Sequence, residues 1–351
     1  MKYLKYLLIF VPISFVLEFL HYNQTWIFVT ACLAIVPLAG LMGEATENIS
    51  VHTGPKIGGF LNATFGNATE LIIAIFAIKA GQHDIAKASI AGSIIGNVLL
   101  VLGASMLFGG FKHKIQSFNQ KASVNSATLL LFAAIGLVIP AIFLNGITTP
   151  ERRLAYEGLS IANAVIMISI YFLGLIFSFF THKDILSCEK EEECEAKWGK
   201  AKALIVLLIA TVVVAFESEI LVGSIEATAK NLGWNDMFIG IIILAIIGNA
   251  AEHSTAIIMA IKNKMDVALE IAVGSSLQIA LFVAPVLVFT SLLFGKPMDL
   301  IFHPFELAGI VIAVLIANFI SQDGESHWLE GAQLVGVYII LAFAFYFAPI
   351  K

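Results

Sequence analysis

The sequence predicts an all-α integral membrane protein with about eleven transmembrane helices, and three features of the chain support that fold class. Hydrophobic residues make up 59% of its 351 residues and charged residues only 13%, whereas soluble domains carry roughly 45–50% apolar and about 25% charged residues. The apolar residues lie in long runs of bilayer-crossing length. One pattern of polar residues occurs twice, which predicts one N-terminal helix followed by two inverted five-helix repeats.

The apolar runs follow one another along the whole chain, and a transmembrane helix needs about 20 such residues. The first run follows Lys2 and Lys5, as in a signal peptide, but no small-residue cleavage motif comes after it, so we expect a retained helix. The runs cover roughly residues 6–21, 25–47, 57–80, 85–109, 124–144, 157–180, 201–229, 237–261, 267–294, 304–321 and 329–349.

The longest polar stretch, residues 181–200, divides the chain into two halves. It contains the acidic run Cys188-Glu-Lys-Glu-Glu-Glu-Cys194, which we interpret as a solvated linker, with a regulatory or ion-gathering role as the alternative. We therefore expect four parts, which are an N-terminal helix (1–24), a first repeat (25–180), the acidic linker (181–200) and a second repeat (201–351).

Lysine and arginine residues predict the orientation, because they collect in short loops on the cytoplasmic side of a membrane. The N-terminus and every second loop after it carry 13 of the 20 basic residues. We therefore expect the N-terminus and the acidic linker to be cytoplasmic. An odd number of helices then places the C-terminus outside.

A shift of 182 residues superimposes the two halves without a gap. It places Gly66–Glu70 on Gly248–Glu252 and Gly92-Ser93 on Gly274-Ser275. Apolar residues match by chance in such a chain, but glutamate and asparagine do not match in register. Because five helices form one repeat, the second copy enters the membrane from the opposite side, as in transporters whose substrate site lies near the midplane. The shift also matches Glu44 with Glu226 and Asp84 with Asp266.

Two glutamates are the first candidates for function, because an ionisable side chain at the bilayer centre is unfavourable by about 2.5–3.5 kcal/mol. Glu70 and Glu252 each lie in the middle of an apolar run. Asn67 and Asn249 precede them by three residues and therefore share a helix face with them.

The next run in each half adds hydroxyl and amide groups at helical spacing. Ser93 lies four residues before Asn97, and Ser275 lies three residues before Gln278. Each half thus presents a carboxylate, an amide and a hydroxyl toward a common centre. For Asn97 and Gln278, hydrogen bonding between helices is the alternative to ion binding.

These groups are hard oxygen donors, and calcium takes 6–8 oxygen ligands from carboxylates, carbonyls and amides. Two facing carboxylates cannot both stay charged without a cation, so at least one should hold a proton. Bound calcium allows both to ionise. The sequence therefore predicts antiport of Ca²⁺ as substrate against H⁺ as coupling ion, by alternating access around a midplane site.

Three further residues are candidates for proton coupling or gating. His253 directly follows Glu252, and the ordinary pKa of histidine lies near physiological pH, although a packing role is the alternative. Glu44 and Glu226 match in register but lie near helix ends, where a solvated carboxylate is the alternative.

Glycines are expected to shape the helices around the site. Gly92 and Gly96 are four residues apart and form a small-residue face for close packing. Gly66 and Gly248 precede the Asn-Ala-x-Glu motifs directly, so local unwinding there would expose carbonyl groups to an ion.

The two Gly-Asn-Ala-x-Glu motifs, Gly66–Glu70 and Gly248–Glu252, resemble the paired signatures of the cation/proton exchanger family within the calcium/cation antiporter superfamily. The segments Gly92–Asn97 and Gly274–Gln278 are similar to its next-helix elements, and the resemblance extends from about residue 30 to the end. It implies calcium movement driven by protons, with Glu70 and Glu252 as central ligands and a nearby histidine, here His253, in proton coupling. It also implies that the site is lined by Asn67, Asn249, Ser93, Ser275 and Gln278.

A sodium-coupled or broad-specificity divalent cation exchanger is the main alternative. The serine- and threonine-rich repeat of the sodium-coupled branch is not seen, which favours protons. A long N-terminal extension, common in vacuolar members, is also not seen, which favours a prokaryotic plasma membrane.

A passive channel is the alternative within transport, because inverted repeats do not exclude one and only flux against a gradient separates the two. Classes outside transport find no support in the sequence. It has no His-Glu-x-x-His motif, no nucleophile elbow and no phosphate-binding loop, so we do not expect an enzyme. It has no basic cluster, so we expect no nucleic acid partner. Membrane lipid is the expected environment, and a homo-oligomer is compatible with the sequence.

Overall fold

The structure is a computed structural model that describes residues 4–53, 58, 61, 64–144, 153–181 and 196–348. These residues are almost entirely helical. The first half contains a 3₁₀ segment (Leu4–Ile9), α1 (Phe10–Phe19), α2 (Gln24–Thr53), α3 (Ala68–Ala80), α4 (His83–Lys112), α5 (Gln120–Leu144) and α6 (Arg153–Ile176), which ends in a π-helical turn (Phe177–Thr181).

The second half repeats this order of long and broken helices. It contains α7 (Lys200–Leu232), α8 (Asp236–Gly248), α9 (Ala250–Ile261), α10 (Met265–Leu293), α11 (Pro304–Ile320) and α12 (Trp328–Tyr346). Two short strands, β1 (Gln116–Ser117) and β2 (Glu325–Ser326), pair antiparallel between the halves.

The helices are long and apolar enough for a multi-pass membrane protein. Among the described residues, seven single helices have the length and composition of a membrane span, and the bent pair α8 and α9 makes up to eight. Helix α11 is apolar but has only 17 residues, and α1 and α3 are shorter still. The all-α membrane class is therefore confirmed, while the count of about eleven spans stays a prediction.

Several predicted segments differ from the helices in length or continuity. Helix α2 was expected to end near residue 47 but continues to Thr53, because a helix keeps its backbone hydrogen bonds after its side chains leave the apolar layer. Asn48 supports this extension by donating to the Glu44 carbonyl at 2.6 Å. The segment 237–261 was expected to be one helix, but it is divided at Asn249 with a bend of 61°.

The packing of the two halves follows the 182-residue shift. Helix α3 packs against α7 and the last part of α10, and α9 packs against α2 and the last part of α4. The shift converts one set of contacts into the other. Helices α4 and α10 also each contain a π-helical segment at nearly matching positions, Gly96–Val101 and Ile279–Val283.

The centre of the molecule depends on close backbone approach. A side chain at Gly92 would collide with the backbone of Ile241 in α8, so this glycine has the close-packing role that its spacing predicts. In the described part of the chain, no heavy atom outside its own helix lies within 4 Å of the corresponding position at Gly96, so the same role is wrong for Gly96.

The N-terminal segment, the end of the linker and the end of α2 meet at one end of the molecule. Lys5 forms an ion pair with Glu44 at 3.1 Å. The Trp198 backbone N–H donates to Asn48 at 2.9 Å, and the Trp198 carbonyl contacts the His52 ring at 2.7 Å. The acidic run between Cys188 and Cys194 lies outside the described residues.

Candidate ion-binding site

Two helix breaks place the candidate glutamates at helix N-termini inside the protein. Asn67 immediately precedes α3, and Asn249 lies between α8 and α9, where neither asparagine has ideal helical backbone angles. Their carbonyls accept the first helical hydrogen bonds, from Leu71 at 3.1 Å and from His253 at 2.9 Å. Glu70 and Glu252 therefore occupy the first turn of a helix, where the helix dipole favours a negative charge.

The six predicted amide and hydroxyl side chains form one continuous hydrogen-bonded chain between the halves. Asn67 donates to Gln278 at 2.6 Å and accepts from Ser275 at 2.7 Å. Asn97 donates to Ser275 at 3.0 Å and lies 3.5 Å from Asn249.

The chain of hydrogen bonds ends at Ser93, which accepts from Asn249 at 3.0 Å. Four of its six members are almost completely inaccessible, namely Asn67, Ser93, Asn97 and Asn249. Buried polar groups that are fully paired hold a unique arrangement. The network therefore fixes α3, α4, α9 and α10 relative to one another around the two glutamates.

The two carboxyl groups lie beside this network and retain unused oxygen atoms. Glu70 is buried, Glu252 is partly buried, and the Oε2 atom of each has no hydrogen-bond partner among the described residues. The Glu70 and Glu252 carboxylates are also close enough to repel each other when both are charged.

Gly248 makes room for one of these carboxyl groups. A Cβ atom at this position would lie 3.1 Å from Glu70 Cγ and 3.3 Å from Glu70 Oε1. The helix also ends at Gly248, next to the break at Asn249, so the expectation of a disrupted helix is confirmed there. Gly248 therefore leaves the space that the Glu70 side chain of the opposite half occupies.

The ligand set that results is mixed in type. Within the described residues, no three or more His, Cys, Asp or Glu side chains form a group able to hold a metal ion. A cation at this centre would therefore take two carboxylates and complete its shell with amide, hydroxyl, carbonyl or water oxygen. That composition suits calcium, which accepts all of these oxygen types.

The three candidates for coupling or gating lie at different distances from this centre. His253 is partly buried, and its Nε2 atom has no partner among the described residues. Glu44 is tied to Lys5 near the N-terminus, and Glu226 is exposed near the other end. The structure brings neither Glu44 nor Glu226 into the hydrogen-bonded network.

Sequence reasoning missed a pair of contacts that fasten each half to the other. The first, which we name the lysine clasp, holds the turn after α3. Lys296 donates to the Lys79 carbonyl at 2.7 Å, while Lys87 contacts Asp299 at 3.1 Å and the Ile301 carbonyl at 3.0 Å. These lysines lie next to predicted loops, so the sequence offered only a solvated interpretation.

The second contact, which we name the amide clasp, holds the equivalent turn after α9. Gln116 donates to the Ala260 carbonyl at 2.8 Å and to Asn263 at 3.0 Å, and the His113 ring lies 3.1 Å from the Ile261 carbonyl. The two clasps occupy matching places under the 182-residue shift.

The fold is that of a polytopic α-helical membrane protein in which broken helices from two halves meet around buried carboxylates, an architecture used by secondary transporters. The chain belongs to the sodium/calcium exchanger protein family, whose model matches residues 23–180 and 202–347.

Similar proteins cover nearly the whole chain. A protein of Aphanothece halophytica named Ca(2+)/H(+) antiporter is 48% identical, over 98% of this chain and 96% of its own. The Ca(2+)/H(+) antiporter ChaA of Bacillus subtilis is 48% identical, over 96% of both chains. The crystal structure of the selenium-substituted Ca2+/H+ antiporter YfkE has a TM-score of 0.87 and 45% identity, covering 99% of this chain and 100% of that one.

Proposed function

We propose that this protein is a secondary active antiporter that exchanges Ca²⁺ for H⁺. One observation carries the proposal, namely that Glu70 and Glu252 approach from opposite halves and each keep an oxygen atom that no described residue contacts by a hydrogen bond. The similar proteins from A. halophytica and B. subtilis, and the YfkE structure, are named as Ca²⁺/H⁺ antiporters. Those names describe transporters, and we assign the chain no enzymatic activity.

The carboxyl pair couples the two ions by competition. Without a cation, repulsion between two buried carboxylates favours protonation of at least one of them. A divalent cation between them replaces the protons and stabilises both charges. Calcium and protons therefore cannot occupy the pair together, and loading one ion on one side releases the other.

The network of Asn67, Asn97, Asn249, Ser93, Ser275 and Gln278 supports this exchange by holding the glutamates and offering oxygen ligands. We propose that these residues line the ion site. We also propose that His253 influences proton transfer, because it follows Glu252 directly and its Nε2 atom has no hydrogen-bond partner in the described part of the chain. A gating role for Glu44 and Glu226 is proposed from their matching positions, and the ion pair of Glu44 with Lys5 supports it on one side only.

Two inverted repeats, residues 25–180 and 201–351, explain the packing best, with residues 1–24 outside them. The exchange of contacts between α3 and α9 under the 182-residue shift supports this division. Rocking or sliding of one bundle past the other around a fixed midplane site would give alternating access. A disulfide that joins the bundles should then stop exchange, and reduction should restore it.

We propose a prokaryotic plasma membrane, with the N-terminus and linker cytoplasmic and the C-terminus outside. The meeting of Lys5, the end of the linker and the end of α2 supports one side for both segments. The B. subtilis relative supports the bacterial setting.

The decisive experiment measures calcium uptake into proteoliposomes under an imposed proton gradient without sodium. Glu70→Gln and Glu252→Gln should each abolish uptake, because an amide can neither release a proton nor balance a divalent charge. Glu219→Gln is the matched control, since that carboxylate lies on α7 in an exposed pair with Lys79. Uptake that ignores the proton gradient, or needs sodium, would refute the coupling ion, and uptake that survives both substitutions would refute the site.

A further inference from the structure

A further buried carboxyl group lies near the middle of a helix of membrane-spanning length, away from the proposed ion site. Glu217 has no exposed surface and stands 17 residues after the first and 15 before the last residue of α7. At 1.5 Å per residue it lies about 22–25 Å from either helix end, within a helix longer than the ~30 Å hydrocarbon layer. The shift of 182 residues places it on Ile35, so the repeated ion site does not account for it.

The partner of Glu217 is a hydroxyl group on the N-terminal helix. Its Oε1 atom lies 2.6 Å from Ser14 Oγ in α1, and Ser14 is also fully buried. The Oε2 atom of Glu217 has no hydrogen-bond partner among the described residues. Beside this contact, the Phe15 and Phe216 rings pack edge to face with centroids 6.3 Å apart, so apolar surface surrounds the carboxyl group.

Two of the charged groups near Glu217 along the chain form ion pairs with other residues. Lys5 before α1 pairs with Glu44 of α2 at 3.1 Å, and Glu219 of α7 pairs with Lys79 at 3.1 Å. The other charged groups on these elements are Glu18, Glu47, Lys200, Lys202, Glu226 and Lys230. In the described part of the chain, no salt bridge involves Glu217, and its hydrogen-bond partner is the uncharged Ser14 hydroxyl group.

An ionised Glu217 would therefore be a buried charge with one hydrogen bond and no counter-ion. Such a charge is strongly unfavourable, and a buried carboxyl group in this position takes up a proton instead. The acid form also fits the geometry. Ser14 Oγ lies 2.8 Å from the Val11 carbonyl, so its single hydrogen can serve Val11 while the protonated carboxyl group donates to Ser14 Oγ.

We propose that Glu217 is a second intramembrane proton-binding site, occupied at neutral pH, which docks α1 on α7. Helix α1 packs on α2 and α7, and these two helices pack on α9 and α3, which carry Glu252 and Glu70. The bound proton keeps α1 on this pair of helices. It is structural, and it does not exchange with calcium during transport.

Infrared difference spectroscopy on the full-length protein in lipid tests the protonation state directly. Parent minus Glu217→Gln should contain one carbonyl-stretch band of a protonated carboxylic acid at neutral pH. Parent minus Glu219→Gln, the control on the same helix, should contain only carboxylate bands. Glu217→Gln losing carboxylate bands instead of an acid band would overturn the proposal.

Two further measurements keep the proposal open to refutation if the glutamine variant folds poorly. Ser14→Ala retains Glu217 but removes its partner, so the acid band should move to higher frequency, and an unmoved band would contradict the docking contact. Folded Glu217→Gln should also retain proton-driven calcium uptake, whereas a loss of coupling would make the Glu217 proton a transported one. The infrared result needs no calcium transport, so it stands or fails independently of the proposed exchange.

Discussion

Replacing Gly248 by alanine tests the idea that this glycine fits Glu70 into the ion site. The new Cβ atom would lie 3.1 Å from Glu70 Cγ, whereas carbon atoms pack at about 3.5–4.0 Å. The Glu70 side chain must therefore retreat by roughly 0.4 Å or more. The helix itself should tolerate the change, because alanine is the better helix former by about 1 kcal/mol.

The expected size of the effect on calcium uptake follows from how strongly function depends on the position of a functional group. A misplacement of about 1 Å can lower efficiency by about 100-fold, so a shift of roughly 0.4 Å corresponds to about sixfold. Calcium ligands lie about 2.3–2.6 Å from the ion, so a displaced carboxylate soon leaves the bonding range. We expect the calcium concentration for half-maximal uptake to rise about fivefold to tenfold in Gly248→Ala.

Calcium-dependent uptake in proteoliposomes measures this change, and Gly274→Ala is the matched control. Gly274 lies in α10 directly before Ser275, and a Cβ atom there would have no neighbour within 4 Å. That variant should retain the parent's half-saturating concentration. Equal values for both alanine variants would refute the steric role of Gly248, and so would a reduced thermal stability in Gly248→Ala that accounts for the loss.

Three other substitutions test the coupling, the network and the lysine clasp. Protons bound to the glutamates should leave when calcium binds, so calcium should bind more tightly as pH rises. Glu70→Gln should keep only weak calcium binding through Glu252, and that binding should release about one proton fewer per ion. Calorimetry in buffers of different ionisation enthalpy measures this number, and an unchanged number would exclude Glu70. Asn97→Leu should lower thermal stability by about 1–3 kcal/mol, because Ser275 and Asn249 lose a buried partner. A variant that melts normally but cannot bind calcium would make Asn97 a ligand rather than a link between helices. Lys87→Met should lower stability by a similar ~1–3 kcal/mol, because Asp299 and a carbonyl lose a charged donor, and an unchanged melting temperature would show that the clasp is dispensable.

Sequence reasoning could single out the residues of the proposed ion site because their pattern occurs twice in the chain. Glu70 and Glu252 are recognisable alone as charges in apolar runs, and the matching asparagines and serines confirm which faces belong together. It could not show that Asn67 binds Gln278 and Ser275 of the other half. Those pairings depend on how the two halves pack, which no local pattern records.

Residues without a matching residue in the other half were harder to interpret from the sequence. Glu217 has no counterpart, and its burial depends on α1, a helix that the repeat does not predict. The observed helix boundaries also differ from the predicted ones where a helix continues beyond its apolar residues or breaks within an apolar run. Helix α2 continues past Glu44 to Thr53 because the backbone does not depend on a lipid environment, whereas the break at Asn249 interrupts a run that is apolar throughout.

The lysine clasp is an ion pair and the amide clasp is a set of neutral hydrogen bonds. The contacts at the two faces of the protein should therefore respond differently to salt. Lys87 and Asp299 hold one face by an ion pair in which Asp299 is 37% exposed, whereas Gln116 holds the other through neutral hydrogen bonds and is 1% exposed. Dissolved ions screen partly exposed charges over about 10 Å at 0.1 M and about 3 Å at 1 M. In the proposed orientation the lysine clasp faces outward, toward the medium whose composition the cell does not control. Rising external salinity should therefore loosen the outer face selectively, so the balance between the two open states would follow the ionic strength outside the cell.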